Sequence, residues 1–194
     1  SFHPFDGFWD LKHEQRGSPR AAFVFLGLTI LAFFYQSIGT GYIFSGTSSA
    51  SGTIFSAIIS VVMPVMLFVV ANWCLTTLLE GEGSFRDVFV ATCYGIAPLP
   101  LLIILSTAVS NFLTANESAV ITLINTIAFI WVGILLFFGV MVTHGYSFGK
   151  NVATILFTII AMAFIMFLAV LFSSLMTKIV SFVYSIAEEI NYRI

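Results

Sequence analysis

The sequence predicts an all-α membrane protein, a polytopic bundle of five transmembrane helices. Its 194 residues are 59% hydrophobic and only 8% charged, with a mean hydropathy of +1.07, whereas a soluble domain carries about 25% charged residues. Each of five charge-free stretches exceeds the roughly 20 residues that cross the hydrocarbon layer as a helix. They lack the alternation of barrel strands, which leaves helices as the predicted form. The stretches are 21–44, 54–79, 88–113, 119–142 and 152–176.

The spans divide the chain into three parts: an interfacial amphipathic segment at 1–20, the transmembrane domain at 21–176, and an amphipathic helical extension at 177–194. In the first part, an apolar stripe of Phe5, Phe8 and Trp9 recurs at helical spacing beside charged residues, which is typical of a helix lying on the membrane surface. Ser1 in place of Met, and no apolar run before Pro19, favour a processed or truncated start over a retained signal peptide.

The extension carries an apolar stripe in an i, i+4, i+7, i+11 pattern, formed by Ile179, Val183, Ile186 and Ile190. No helix breaker separates it from the fifth span, so the last helix is predicted to run beyond the lipid. Such a stripe needs a cover, and either the membrane surface or another polypeptide could supply it.

Local motifs predict where helices begin and bend. Ser84 to Asp87 and Thr114 to Glu117 both fit a capping box, which predicts the starts of the third and fourth spans. Proline removes an amide donor and strains the preceding turn, so kinks are predicted at three sites. These are Pro64 in the second span and Pro98 and Pro100 in the third.

The distribution of Lys and Arg predicts the orientation in the cell membrane. With five spans, five basic residues fall on one side and only Lys178 and Arg193 on the other. The positive-inside rule then places the N-terminus in the cytoplasm and the C-terminus outside the cell. The five are Lys12, Arg16, Arg20, Arg86 and Lys150.

The residues offer little equipment for catalysis. The spans contain no Asp, Glu, Lys, Arg or His, and there is no phosphate-binding Gly-rich loop, no metal-spaced His/Cys cluster and no nucleophile elbow. We therefore predict no enzymatic activity, no catalytic residue, no cofactor and no metal. The histidines His3, His13 and His144 are interpreted as interfacial polar residues. Without a polybasic segment, nucleic acid is not an expected partner.

A weak internal echo relates Ser84-Phe85-Arg86-Asp87-Val88 to Ser147-Phe148-Gly149-Lys150-Asn151-Val152, each opening a helix from the cytoplasmic side. Duplication and chance both remain open. If the echo is real, it creates two similar cytoplasmic corners bearing Arg86 and Lys150, close to the acidic Glu80 and Glu82. Charged corners of this kind suit the docking of a partner.

Three segments resemble the Yip1 domain family, and in particular its branch in Gram-positive bacteria. They are ANWCLTTLLEGEGSFRD at 71–87 followed by YGIAP at 94–98, HPFDGFWDLKHE at 3–14, and THGYS at 143–147. The resemblance implies five spans and a cytoplasmic N-terminus, in agreement with the reading from the residues. For bacterial members it implies an accessory role beside carbohydrate ABC importers, with permease subunits of such importers as partners.

The first functional hypothesis is a non-enzymatic accessory or scaffold subunit that binds other membrane proteins. Its candidate partner-binding residues are Glu80, Glu82, Ser84, Phe85, Arg86, Ser147, Phe148, Lys150, Ile179, Val183, Ile186 and Ile190.

The alternative is a transporter or channel for a small uncharged solute, because broken helices at the midplane can mark a transport site. Candidate residues for that path are Pro64, Asn72, Pro98 and Pro100. Packing kinks are the favoured explanation of the same prolines, because proline is common in membrane helices.

Overall fold

A computed structural model describes residues 4–13, 17–40, 54–79, 81–113 and 117–192, with side chains for all of these except 4–6, 13, 187 and 190–192. In this part of the chain the secondary structure is helical, which confirms the predicted fold class. The helices are α1 (Pro4–His13), α2 (Pro19–Gly39), α3 (Ile54–Leu78), α4 (Phe85–Gly95), α5 (Leu99–Ser110), α6 (Ser118–His144) and α7 (Phe148–Tyr192).

Five helical segments are long and apolar enough to cross a membrane, in the described ranges. Their order follows the predicted spans, with the third made from α4 and α5 together. The segments are Pro19–Gly39, Ile54–Leu78, Phe85–Ser110, Ser118–His144 and Phe148–Ile186.

The third span is broken rather than merely kinked. α4 ends at Gly95, a turn covers residues 96–98, and α5 begins at Leu99. Prolines at 98 and 100 lack the amide donors that a continuous helix needs there, and the Leu99 amide donates three residues back, to the Ile96 carbonyl at 3.0 Å. Pro64, by contrast, lies inside the unbroken α3.

The start of α4 confirms the first predicted capping box. The Asp87 amide donates to Ser84 Oγ at 3.3 Å, and the Ser84 amide donates to Asp87 Oδ2 at 3.1 Å. Both bonds satisfy amides that have no partner inside the helix. The second predicted box falls largely outside the described residues, and α6 begins at Ser118.

Ser84→Ala is expected to lower the free energy of unfolding by about 1 kcal/mol, because it removes an N-cap acceptor. The matched control is Ser147→Ala at the start of α7, since no side-chain hydrogen bond is formed by Ser147 in the described structure. Thermal unfolding in mild detergent measures both. Equal losses for the two variants would contradict the capping role.

The chain alternates between two ends of the bundle. At one end lie α1, the link 81–84 and the link 145–147, and we call this the basic end because Lys12, Arg86 and Lys150 are found there. At the other end, Asn111 Nδ2 donates to the Gly39 carbonyl at 2.9 Å and ties α5 to α2. In between, α3 packs against α7, α2 against α5 and α4 against α6, around an apolar core.

α1 packs on the bundle through part of its predicted apolar stripe. Phe8 is buried in a small cluster with Ala91, Leu135 and Val142, and its ring lies close to Gly139 on α6. Trp9 is instead 49% exposed. The helix is therefore held by protein contacts through Phe8, while the side chain of Trp9 is about half exposed. The Phe5 side chain is outside the described part.

α7 is the longest helix, with 45 residues, which corresponds to about 68 Å at 1.5 Å per residue. Only its first part is covered, where Asn151, Thr154 and Thr158 are buried. From residue 166 to residue 186 every side chain is exposed. The helix continues unbroken through the predicted extension, well past the length needed to cross the lipid.

Candidate functional site

A buried polar cluster joins three spans at the basic end. His144 is the last residue of α6, Asn72 lies on α3 and Thr158 on α7, and none of the three is more than 2% exposed. His144 Nε2 is 3.2 Å from Asn72 Oδ1, and Asn72 Nδ2 donates to Thr158 Oγ1 at 3.1 Å. We call these three residues the His144 cluster.

The hydrogen bonds around the cluster form a chain in which each group donates to the next. The Gly83 amide donates to His144 Nδ1 at 3.3 Å, so Nδ1 is an acceptor and the ring proton belongs on Nε2, from which it is donated to Asn72. The Thr158 hydroxyl in turn donates a hydrogen bond to the Thr154 carbonyl at 2.7 Å. Every polar atom of the imidazole is thereby satisfied when the ring is neutral.

The chain beyond α6 stacks an aromatic ring on the histidine. Gly145 ends the helix in the left-handed region with φ 65°, a conformation that glycine adopts without steric cost. This turn brings Tyr146 parallel to the His144 ring, with centroids 5.3 Å apart and planes at 21°. Burial raises the pKa of the Tyr146 hydroxyl. Lys150 lies in the first turn of α7, and its Nζ is 4.4 Å from the centre of the Tyr146 ring.

The link between α3 and α4 closes over the cluster, and two glycines make this possible. A Cβ on Gly81 would lie 2.6 Å from both His144 Nδ1 and Tyr146 Oη. A Cβ on Gly83 would lie 2.8 Å from His144 Cε1 and 2.8 Å from Thr143 Cγ2. Real side chains do not tolerate such distances, so the close approach of this backbone depends on glycine at both positions.

An ion pair fastens α1 to the same link. Lys12 Nζ lies 2.9 Å from Glu82 Oε2. Next to it, between α1 and α4, is a cleft of about 360 Å³, lined by Phe8, Leu11, Lys12, Gly17, Arg86, Asp87, Val90, Ala91 and Thr143. Lys12 and Arg86, predicted to lie on one side of the membrane, thus face a common space.

The cluster is suited to a structural role, in which it holds α3, α6 and α7 together at the basic end. Both His144 nitrogens are bonded to protein groups, so neither is available to a bound molecule in this arrangement. Among the described residues, no group of three or more His, Cys, Asp or Glu side chains could hold a metal ion. The glycine-rich cover carries Glu82, which pairs with Lys12, and the Tyr146 ring stacked on His144 contacts Lys150.

The predicted partner-binding residues near the basic end have different surroundings. Ser84 is used as the α4 cap. Phe85 makes an edge contact with the Trp73 ring at 5.7 Å, and Phe148 is 68% exposed but touches Phe137. Ser147 is exposed at the start of α7. Glu80 lies outside the described residues.

The predicted stripe on the extension is uncovered. Ile179, Val183 and Ile186 are 46%, 59% and 44% exposed. The Ile190 side chain is outside the described part. These residues lie far along α7 from the basic end, so the two sets of predicted residues define two separate surfaces.

The residues predicted to border a solute path are also separated. Asn72 belongs to the His144 cluster, Pro98 precedes α5, and Pro100 is buried in its first turn. Of the four, Pro64 alone lines a cavity of about 260 Å³, to which α2, α3, α4, α5, α6 and α7 all contribute residues.

Sequence reasoning missed His144, Gly81, Gly83 and Tyr146 as site residues. His144 was interpreted as an interfacial polar side chain, but it is 2% exposed. The available signal was that the segments carrying the family resemblance, 71–87 and 143–147, hold two of the three cluster residues, Asn72 and His144. Nothing in their spacing along the chain shows that they meet.

The fold and this site define a class: a multi-pass helical membrane protein with five spans and a polar cluster fixing its basic end. The chain belongs to the Yip1 domain family, which matches residues 1–171, and the predicted family is confirmed. Neither the curated proteins nor the solved structures give a match.

Proposed function

We propose that the chain is a non-enzymatic accessory subunit of the bacterial cell membrane, from the Gram-positive branch of the Yip1 domain family, that binds a partner membrane protein. The proposed partner is a permease of a carbohydrate ABC importer, a choice that comes from the family resemblance. The proposed orientation has the N-terminus in the cytoplasm and the C-terminus outside. The observation that carries the proposal is the uncovered apolar face of α7.

This face continues the side of α7 that already packs in the bundle. Thr154 is fully buried, and Ile179 follows it by 25 residues, which is about seven turns of 3.6 residues. The two therefore lie on the same side of the helix. Ile179, Val183 and Ile186 extend a packing surface beyond the point where the described part of this chain packs against it.

The other side of the extension is polar. Ser181, Ser185, Glu188 and Glu189 are exposed there, and this amphipathic pattern differs from the apolar run that precedes it. A helix with one apolar and one polar side is suited to laying its apolar side on another polypeptide. The exposed Arg86 and Lys150 at the basic end offer a second, charged contact on the opposite side of the membrane.

The test is copurification of the tagged full chain from its native host in mild detergent, with quantification of the permease by mass spectrometry. The triple variant Ile179→Ser, Val183→Ser, Ile186→Ser is expected to lower the recovered permease at least about tenfold, since several buried apolar contacts are lost. The matched control, Ser181→Ala with Ser185→Ala, changes the polar side and should keep normal recovery. Purification of the chain alone at every expression level would overturn the proposal.

The alternative of a solute path finds less support in the geometry. The hydroxyls that line the cavity beside Pro64 are bonded to carbonyls of their own helices: Thr29 to Phe25, Ser60 to Ser56 and Thr92 to Val88. The remaining lining is apolar, so the cavity suits a hydrocarbon chain better than a polar solute. Liposome flux that falls with Asn72 or Pro98 substitutions would revive the alternative.

A further inference from the structure

We infer that the cleft between α1 and α4 binds a phosphate-bearing anion, with the headgroup of an anionic phospholipid as the natural source. The cleft brings together two cations from different elements, Lys12 of α1 and Arg86 of α4. Its volume of about 360 Å³ is in the range of small-molecule sites. The inference is independent of the proposed partner.

Arg86 is the free cation of the pair. Within the described part of the chain, its guanidinium makes no hydrogen bond or ion pair. Guanidinium groups bind phosphate through two parallel hydrogen bonds and carry little hydration to remove. Arg86 also lies in the first turn of α4, where the positive end of the helix dipole favours an anion.

Lys12 lies on the opposite wall of the cleft, where it is paired with Glu82. Breaking this ion pair is the free-energy cost of binding an anion at Lys12. The Glu82 side chain is 72% exposed, so water can solvate its carboxylate when an anion competes for Lys12. Asp87 also lines the cleft, but its Oδ2 already accepts from both the amide and the hydroxyl of Ser84. A phosphate entering the cleft therefore competes with Glu82 for Lys12.

The position and walls of the cleft favour a lipid over a soluble anion. Gly17 lines it just before α2 begins, and Arg86 lines it just after α4 begins, so it lies at the level where the spans leave the hydrocarbon. Its other walls include Phe8, Leu11 and Val90, which suit the glycerol and first methylenes of an acyl chain. Basic pockets at the ends of membrane helices bind anionic headgroups by this combination of charge and depth.

The experiment measures binding of a fluorescent phosphatidylglycerol to the purified full chain in neutral detergent, with a phosphatidylcholine analogue as the reference lipid. Lys12→Gln and Arg86→Gln are each expected to weaken phosphatidylglycerol binding about fivefold. Arg20→Gln, an exposed basic residue on α2 that does not line the cleft, is the matched control and should leave binding unchanged. Equal binding of the two lipids, or an equal loss in Arg20→Gln, would overturn the inference.

Glu82→Gln separates a binding role of Lys12 from a structural one. It breaks the same ion pair as Lys12→Gln but keeps the lysine charge, so phosphatidylglycerol binding should become tighter. Weakening by both variants would show that the pair merely supports the fold, and would count against the site. A competition with inorganic phosphate distinguishes the source: no displacement at millimolar phosphate supports the lipid, whereas full displacement assigns the same site to a soluble phosphate.

Discussion

His144→Ala is expected to lower the free energy of unfolding by about 2–4 kcal/mol, from lost packing and from the buried amide of Asn72 that loses its partner. The ring is 2% exposed and is bonded to Asn72 and to the Gly83 amide. Its removal also takes away the surface on which Tyr146 stacks at 5.3 Å. The change should loosen the link 81–84 as well as the contact between α3 and α6.

Thermal unfolding in mild detergent measures the loss, and hydrogen exchange of the Gly83 amide reports on the link. Thr158→Ala and Thr177→Ala form a matched pair, because both hydroxyls donate to a carbonyl four residues back and only Thr158 also accepts from Asn72. Thr158→Ala should cost more. An Asn72→Leu, His144→Leu double variant should lose less than the sum of its single changes, since the Asn72 side-chain amide is no longer left without its His144 partner. Additive losses would contradict a shared network.

The spans could be predicted because one property decided them. Charge-free runs long enough to cross the lipid have no other stable form, so each predicted stretch overlaps a span of the structure. The capping box at Ser84 was equally predictable, since its two partners are only three residues apart in the sequence. Local chemistry determines such features, and the linear sequence contains all of it.

The site could not be predicted in the same way. Asn72 and His144 are 72 residues apart, and only the tertiary fold, which packs α3 on α7 and brings the end of α6 to Asn72, makes a lone amide and a lone imidazole into a pair. The break at Pro98 shows the same limit, because proline predicts a distortion but tertiary packing decides whether the helix continues, as at Pro64, or ends.

Gly81→Ala is the second change expected to have a large effect. The new methyl group would lie 2.6 Å from His144 Nδ1 and from Tyr146 Oη, and 3.0 Å from Thr76 Cβ. The two rings are stacked on each other and cannot both move aside, so the link itself must lift from the cluster. Overpacking of this kind costs about 1–3 kcal/mol, and lifting the link would also strain the Lys12–Glu82 pair.

Gly133→Ala is the matched control, because it lies in α6 and a Cβ there meets nothing within 4 Å. It should leave stability unchanged or raise it by up to about 1 kcal/mol, through better helix propensity. The steric cause can be isolated with a His144→Ala background, in which Gly81→Ala should cost less because one of its two closest neighbours is gone. An equal cost with and without the imidazole would place the strain elsewhere in the link. Glycine at 81 would then not be needed for the close approach of the link to His144.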